Sequence, residues 1–386
     1  MFDILFTNFG FWANLAIPFA ITFYLVLNHK EYIAKEFGIQ MGITLVYLLS
    51  IYMILFSTVG IYDTEYHNSK VKSFVFYEEW DEKVTYTESY QCGTSKNPKT
   101  CTRTKTRIDH HPEYYIIKGT LGNIIHIKKR DYKNASKRFG ETKKDILRFN
   151  QVSWGDGNSY VSYPHGNTTI PLAVPNTYEN YVKAAKYNVI HTKVPEKEIE
   201  LRVKNKELVQ YPKTYRGIYG AKQLDRVIDT TKSINKNVYL NKLNEISVNV
   251  GTKKQANPIL YITNKDRDFK NALEQYWNKG KKNDVILILG IDDNGLIKWS
   301  DVITYTDSIN FIVDMQNNFK NIDIKDHEKI LSIFEKNIME SYVRKPMKDY
   351  EYLKENIELA WYWQLFIFIG NLIISIFLVR MFLYKK

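Results

Sequence analysis

Two adjacent carboxylates are the residues in this chain most suggestive of chemistry. Asp292 and Asp293 end the apolar part of KKNDVILILGIDDNGLIKWSDV, Lys281 to Val302, and are followed by Asn294-Gly295. Paired aspartates hold hard cations such as Ca2+ or Mg2+ through oxygen, or divide acid/base work when their environments separate their pKa values. Either use needs further carboxylates to converge on them, and Asp266, Asp268 and Asp301 are the nearest in sequence. The competing reading is a turn. Asn-Gly between apolar runs is a strong hairpin signal, and Asp and Asn at turn positions cap their own backbone. A turn accounts for all four residues of Asp-Asp-Asn-Gly, a metal or catalytic site for two, so a hairpin tip is expected. Asp292 and Asp293 stand as the only catalytic candidates, with no metal site or cofactor assigned.

The two cysteines, Cys92 and Cys101, lie in VTYTESYQCGTSKNPKTCTRTKTRID. Period-two flanks rich in Thr and Tyr predict a pair of strands, and Gly93, Ser95, Asn97 and Pro98 predict the turn between them. With Cys92 opposite Cys101, paired residue numbers sum to 193: Glu88 meets Lys105, Tyr90 meets Arg103 and Tyr86 meets Arg107. Those ion and aromatic–cation pairs would share one face. A structural disulfide suits an oxidising compartment. A zinc site joining the cysteines to His110 and His111 lacks the close CxxC or HxxxH spacing of such sites. His67, His126, His165, His191 and His327 are scattered.

The elements that must position these residues begin with three uncharged segments, Phe9 to Leu27, Phe37 to Tyr62 and Trp361 to Val379. About 20 apolar residues span a bilayer as a helix, and Phe9, Phe11, Trp12, Trp361, Tyr362 and Trp363 supply interfacial aromatics. Three transmembrane helices are expected, at about 9–27, 37–62 and 361–383. The first has no basic n-region or small-x-small site of a cleaved signal. Lys30 and Lys35 in the short loop, and Arg380, Lys385 and Lys386 in the tail, put both in the cytoplasm by the positive-inside rule. Residues 63–358 then lie outside a bacterial inner membrane, or in an equivalent virus-associated setting, with Asp63, Glu65, Glu351, Glu355 and Glu358 at the outer borders.

The net charge of +12 sits mostly outside. Without the five orienting cations 49 basic residues remain, and without Asp3, Glu31 and Glu36 there are 39 acidic ones, leaving +10. Such a field favours polyanions, but no stretch has the clustered basic–aromatic pattern of a nucleic-acid module, and scattered lysines serve solubility.

Within the outer region, residues 63–175 read as an antiparallel β-rich subdomain, with EYYIIKGTLGNIIHIKK as a second hairpin and SWGDGNSYVSYPHGNTTIPLAVP as loops or short strands. TYENYVKAAKYNV reads as a helix. Residues 176–345 hold an α/β subdomain, ordered helix–strand–helix–strand–strand–helix–helix from about Tyr239. In DFKNALEQYWNKG, Phe269, Leu273, Tyr276 and Trp277 share a helix face and Gly280 suits the C-cap. The apolar strand after this crossover helix implies a sheet covered on both faces. The fold class is therefore an α+β membrane protein, with residues 346–386 forming the third span and a basic cytoplasmic tail. Sequons at Asn134 and Asn167 matter only in a eukaryotic secretory path. No P-loop, GxGxxG, GxSxG or HExxH occurs.

PILYIT, FKNALEQYWNKG and KKNDVILILGIDDNGLIKW, with the later FIVDMQNNFKNIDIKDHEKILSIFEKNI, make residues 240–342 resemble the TPM domain, a membrane-associated α/β module. The resemblance implies a link to phosphatase activity or to the assembly of membrane complexes. The chain lacks the family's Asp-containing opening. The whole plan, with YDTEYHNSKV, the Cys- and Thr-rich hairpin, HPEYYIIKG and KKNDVILILG, resembles uncharacterised membrane proteins of large tailed bacteriophages. That implies residence in a host membrane or association with a virion.

The expected function is a membrane-anchored protein, non-catalytic, presenting its outer region to a protein partner in the envelope or virion. The alternative is a TPM-like metal-dependent phosphatase or hydrolase acting through Asp292 and Asp293 with Ca2+ or Mg2+. A channel is a third reading, opposed by spans without charge; Asn371 in the last span is a strongly polar residue able to pair with a neighbouring helix.

Overall fold

The computed structural model describes residues 9–28, 34–58, 60–94, 97–145, 157–164, 169–185, 193–357 and 359–384. Unbroken apolar sequence makes the first two elements helical, α1 (Phe9–Asn28) and α2 (Ala34–Thr58). α1 carries no charged residue along its 20 positions.

Alternating sequence then gives β1 (Tyr62–Tyr77), the 16-residue spine of an antiparallel sheet. β2 (Trp80–Gln91) and β3 (Thr100–His111) leave the body as a hairpin, and β4 (Tyr114–Gly119) and β5 (Ile124–His126) return to it. α3 (Lys129–Phe139), β6 (Thr142–Lys144), β7 (Ser159–Ser162) and β8 (Pro171–Glu179) follow, and α4 (Tyr181–Ala184) is a single helical turn. The first half of β1 pairs with β8; beyond a bulge between Val71 and Ser73 the second half pairs with β4 and β7. α3 covers this sheet through Tyr132, whose ring lies 5.8 Å from Phe76 and 5.6 Å from Tyr115. The expected helix over TYENYVKAAKYNV is shorter. Thr177 to Glu179 stay in β8, paired with β1, and the Asn180 side chain caps only the turn that follows; residues 186–189 lie outside the described residues.

The β2–β3 register differs from the expected one by two residues. Tyr90 pairs with Cys101, Glu88 with Arg103 and Tyr86 with Lys105, so paired numbers sum to 191. The reason is Pro98. The Cys92 amide donates to the Lys99 carbonyl and the Asn97 amide to Thr94, which places Pro98 between hydrogen-bonded pairs, where its missing N–H costs nothing. The expected register would set Pro98 at a turn-closing position that requires a donor. A two-residue slip leaves every side chain on its face, so the expected partners still meet as diagonal neighbours. Arg103 lies over Tyr90, Arg107 over Tyr86, and Lys105 reaches Glu88 at 2.7 Å. Cys92 and Cys101 are likewise bonded diagonally, with Cα atoms 5.7 Å apart.

The sequence separation of 9 closes a loop of about ten residues, worth about 2.7 kcal/mol in the chain-entropy account. Cys92→Ser should therefore speed amide exchange over residues 86–105 about a hundredfold while leaving the melting of the body unchanged, because among the described residues the hairpin joins none of the body's hydrophobic clusters. A matching loss of body stability in hydrogen exchange would contradict this.

α5 (Glu196–Lys204), β9 (Thr214–Arg216) and β10 (Lys222–Leu224) lead into the second sheet. It comprises β11 (Val227–Asp229), α6 (Lys236–Lys254), β12 (Asn257–Thr263), α7 (Phe269–Tyr276), β13 (Asp284–Ile291) and β14 (Ile297–Thr304), then α8 (Ile309–Asn317) and α9 (His327–Ser341). The strand order is β11-β12-β13-β14, the first three parallel and β14 antiparallel. Leu260, Ile262, Leu287 and Leu289 pack with Leu243, Phe311 and Phe334 on one face; Ile259, Tyr261, Ile286 and Ile288 pack with Phe269, Leu273 and Trp277 on the other. Period-two alternation in a wholly apolar run thus fills both layers. β11, only three residues long, is the element that the apolar-run reading lacks.

A 3-10 segment, Met347–Asn356, runs into α10 (Trp361–Tyr384). Among the described residues, the stretches Phe37–Leu55 and Trp361–Met381 are long and apolar enough to cross a membrane. Phe11, Leu48, Tyr52 and Ile367 of α1, α2 and α10 share one buried cluster with Tyr178, Tyr181, Tyr305, Tyr350, Leu353 and Ile357 of the body formed by the two sheets and their helices. The helices and the body are therefore packed together and not only tethered. The bundle interior is more polar than Asn371 alone. Asn371 Nδ2 donates to the Asn14 carbonyl at 2.6 Å, Tyr52 donates to Gln364 at 2.9 Å, and Asn14, Gln40, Thr44 and Ser375 are buried.

Candidate functional site

Asp292 and Asp293 occupy the β13–β14 hairpin tip. The Asp292 carbonyl accepts from Gly295 N, and Gly295 has φ +81°, the left-handed value that glycine supplies at a G1 bulge. Asp292 Oδ1 accepts from the amides of Asn294 at 3.0 Å and Leu296 at 2.8 Å, and Lys298 Nζ lies 2.9 Å from Oδ2. Lys298 first, then the Leu296 amide, hold this carboxyl below the usual aspartate range. Asp293 is exposed. Asp301 faces Arg267 at 3.0 Å and Lys270 at 3.8 Å, and it stands opposite Ile288, four positions up β13 from Asp292, or about 13 Å. Asp268 sits at the N-cap of α7. The structure does not gather these carboxylates, and no cluster of three metal-ligating side chains occurs among the described residues.

His110 and His111 pair with Asp81 at 2.7 Å and Glu82 at 2.9 Å, at the far end of the hairpin from Cys92 and Cys101. Of the orienting cations, Lys30, Lys385 and Lys386 lie outside the described residues, as does the side chain of Lys35; Arg380 is exposed on α10.

The unusual electrostatics lie elsewhere, where the α7–β13 loop meets β1. Asn257 and Asp284 open the parallel strands β12 and β13 as register partners, and Arg226 immediately precedes β11. All three side chains therefore meet at the amino-terminal edge of the sheet, opposite the carboxyl edge where open α/β sheets bind ligands. Arg226 is 1% exposed. Its Nε donates to Asn244 Oδ1 at 2.9 Å, Nη1 to the Pro258 carbonyl at 3.2 Å and to Asn257 Oδ1 at 2.5 Å, and Nη2 to Asn68 Oδ1 of β1. Asn257 Nδ2 then donates to Asp284 Oδ1 at 2.7 Å, and Tyr211 and the Lys281 amide supply Asp284 Oδ2 at 2.9 and 2.7 Å. An amide thus bridges a cation to an anion, both fully inside. Burial pushes the Asp284 carboxyl up and its donors only partly offset this, leaving it at about 6. Burial likewise lowers the Arg226 guanidinium to about 10.

Around this network the two sheets are joined by ion pairs. Lys281 Nζ meets Asp63 at 2.5 Å, Lys282 Nζ meets Glu65 at 2.8 Å, and Asn283 Nδ2 donates to the Tyr66 carbonyl at 2.8 Å. Asp63 and Glu65, placed by sequence at an acidic membrane border, are interior groups of this joint. Burial raises the Glu65 carboxyl, but hydrogen bonds from His67, Lys282 and Asn176 and the Lys282 charge overcome it and bring it to about 2. Gly251 lets α6 lie against β1, since a Cβ there would stand 2.6 Å from Asn68 Cβ. Beside the joint is a cleft of about 220 Å³ lined by His67, Asn283 and Arg344. Asp284 itself is wholly enclosed, so the arrangement locks two layers together and exposes no acid to a substrate. The signal in sequence was slight: two alternate acids on a strand and two lysines before another, 218 residues apart.

Compared with protein-family models, curated proteins and solved structures, the chain matches none.

Proposed function

We propose that the chain is an integral membrane protein with three spans, α1, α2 and α10, that holds its outer body rigidly at the bilayer and presents the β2–β3 hairpin to a protein partner in the envelope or virion, without catalysis. The observation that carries this reading is the hairpin itself. Among the described residues its twelve-residue strands pair only with each other, and they reach about 40 Å. One face carries Tyr86, Glu88, Tyr90, Arg103, Lys105 and Arg107, and the other sets Thr85, Thr87 and Ser89 against Thr106, Thr104 and Thr102. Tyr and Arg on a well-ordered support are the residue types that dominate protein interfaces. The packed joint and the shared core beneath it keep that support from moving. The absence of charge along α1 and the position of Arg380 support the third span and a cytoplasmic tail. The resemblances to the TPM domain and to phage membrane proteins would place the partner among membrane complexes of a bacterial host.

Replacing residues 83–108 by a short Gly-containing turn should leave the protein at its normal level in the membrane and remove specific partners from those co-purifying in mild detergent. Asp292→Ala with Asp293→Ala should keep them. An unchanged partner set after hairpin removal would refute the presentation role. A cysteine at the exposed position Lys253 should be labelled from outside intact cells; labelling only after rupture would reverse the orientation.

A further inference from the structure

A second charged cleft lies on the side of the body that meets the membrane helices. It measures about 390 Å³ and is bounded by Lys270 and Glu274 of α7, by Lys279, and by Asp307, Lys345 and Tyr350. Two of its lysines are neutralised: Lys270 lies 3.9 Å from Glu274 and 3.8 Å from Asp301, and Lys345 lies 2.9 Å from Asp307. Lys279 has no carboxylate within ion-pair distance among the described residues; its ammonium sits 5.3 Å from the Tyr305 ring centroid. Burial lowers its pKa, and the charges of Glu274 and Asp307, beyond ion-pair distance, do not offset it. With Asp301 and its partner Arg267 included, four cations thus face three carboxylates around the cleft, and one negative charge is wanting.

The position of the cleft says what kind of anion can supply it. Tyr305 and Tyr350, 5.5 Å apart, belong to the cluster shared with Phe11, Tyr52 and Ile367 of the helices. Tyr350 lies on the 3-10 segment that runs into α10, where Tyr352, Trp361 and Tyr362 are 61%, 76% and 54% exposed, the aromatic signature of a membrane interface. A phosphodiester carries a single negative charge, whereas a phosphomonoester brings about −1.5 to −2 and would overcompensate. A zwitterionic headgroup would return a positive charge beside Lys279.

We propose that this cleft binds the phosphodiester of an anionic phospholipid headgroup, with Lys279 supplying the uncompensated charge. The assignment rests on the membrane-anchored reading. Full-length protein would be placed in nanodiscs of phosphatidylcholine alone or with phosphatidylglycerol, and retained lipid counted by native mass spectrometry after release into detergent. Wild type should retain phosphatidylglycerol in preference to phosphatidylcholine. Lys279→Ala should lower that retention about tenfold or more, the scale of a charge-assisted hydrogen bond, and Lys279→Arg should preserve it. Equal retention of the two lipids, or undiminished phosphatidylglycerol on a folded Lys279→Ala protein, would overturn the proposal. Inorganic phosphate that displaced the lipid and raised the melting temperature equally would make the ligand a soluble phosphate and overturn the lipid assignment. Extraction by alkaline carbonate tests anchoring separately: release from the membrane would sink the anchored reading, whereas lipid indifference in a retained protein would sink only the cleft.

Discussion

Arg226→Leu should be the most damaging single substitution in the two-sheet body, costing about 3–5 kcal/mol, the range seen when one member of a buried charged network is removed. Leucine leaves the side-chain oxygens of Asn68 and Asn244 without the guanidinium donor, and takes one donor each from the Pro258 carbonyl and from Asn257 Oδ1, which keeps Asn68 Nδ2 at 3.0 Å, in a site closed to water. Each stranded acceptor costs about 1–3 kcal/mol, partly recovered where an amide can turn. Asp284 also loses the cation that Asn257 relays to it. Against a total stability of about 5–15 kcal/mol this is a large share. Arg226→Lys keeps the charge but not the fork that reaches three asparagines, so an intermediate loss is expected. Denaturant unfolding of the full-length protein in detergent gives the comparison. A leucine variant as stable as wild type, or a lysine variant worse than leucine, would show that the network does not hold the layers together.

The sequence was most readable where structure is decided locally. DVILILGI is apolar throughout and fills both faces of its sheet, and Asp-Asp-Asn-Gly turns the chain, because strand period and turn chemistry act within a few residues. The disulfide pairing is also local, but the strand register follows the proline and not the bond. A disulfide tolerates a diagonal, whereas Pro98 cannot occupy a position that requires a donor. α3 is not legible in the sequence for a different reason. Its buried residues are Asp131, Tyr132 and Ala135 in a run of Lys and Arg, too few for a visible helical period. The joint could not be read at all. Asn68 meets Arg226 across 158 residues and Lys281 meets Asp63 across 218, and composition does not reveal which distant charges pair. Buried polar groups must find partners, but only the topology says where. The same holds for Asn14 and Asn371, 357 residues apart in the helix bundle.

The joint also predicts an unusual acid response, because its two buried carboxyls shift in opposite directions. Glu65 moves from 4.5 to about 2. Between those values the unfolded chain holds a proton that the folded one does not, so stability rises with pH, is fully present above about 4.5 and is lost toward 2. Asp284 moves from 3.8 to about 6. Here the folded chain holds the extra proton, so its contribution is present below about 3.8 and is lost as pH rises through 6. Each of these displacements corresponds to about 3 kcal/mol. The contributions of this pair cross near about pH 4, which makes the joint tightest in mild acid. Differences between variants isolate the two limbs. Asp284→Asn should gain about 3 kcal/mol on wild type between about pH 4 and 7, because only wild type must ionise a buried carboxyl. Any fixed cost of the amide cancels in that difference. Glu65→Gln should lose ground over about pH 2 to 4.5 by a similar amount, since glutamine cannot gain the Lys282 ion pair as pH rises. Denaturation midpoints measured at about six pH values for the three proteins decide the matter. If the Asp284→Asn profile runs parallel to wild type across pH 4–7, Asp284 is ionised in the fold at no cost and a closer cation than Arg226 must compensate it.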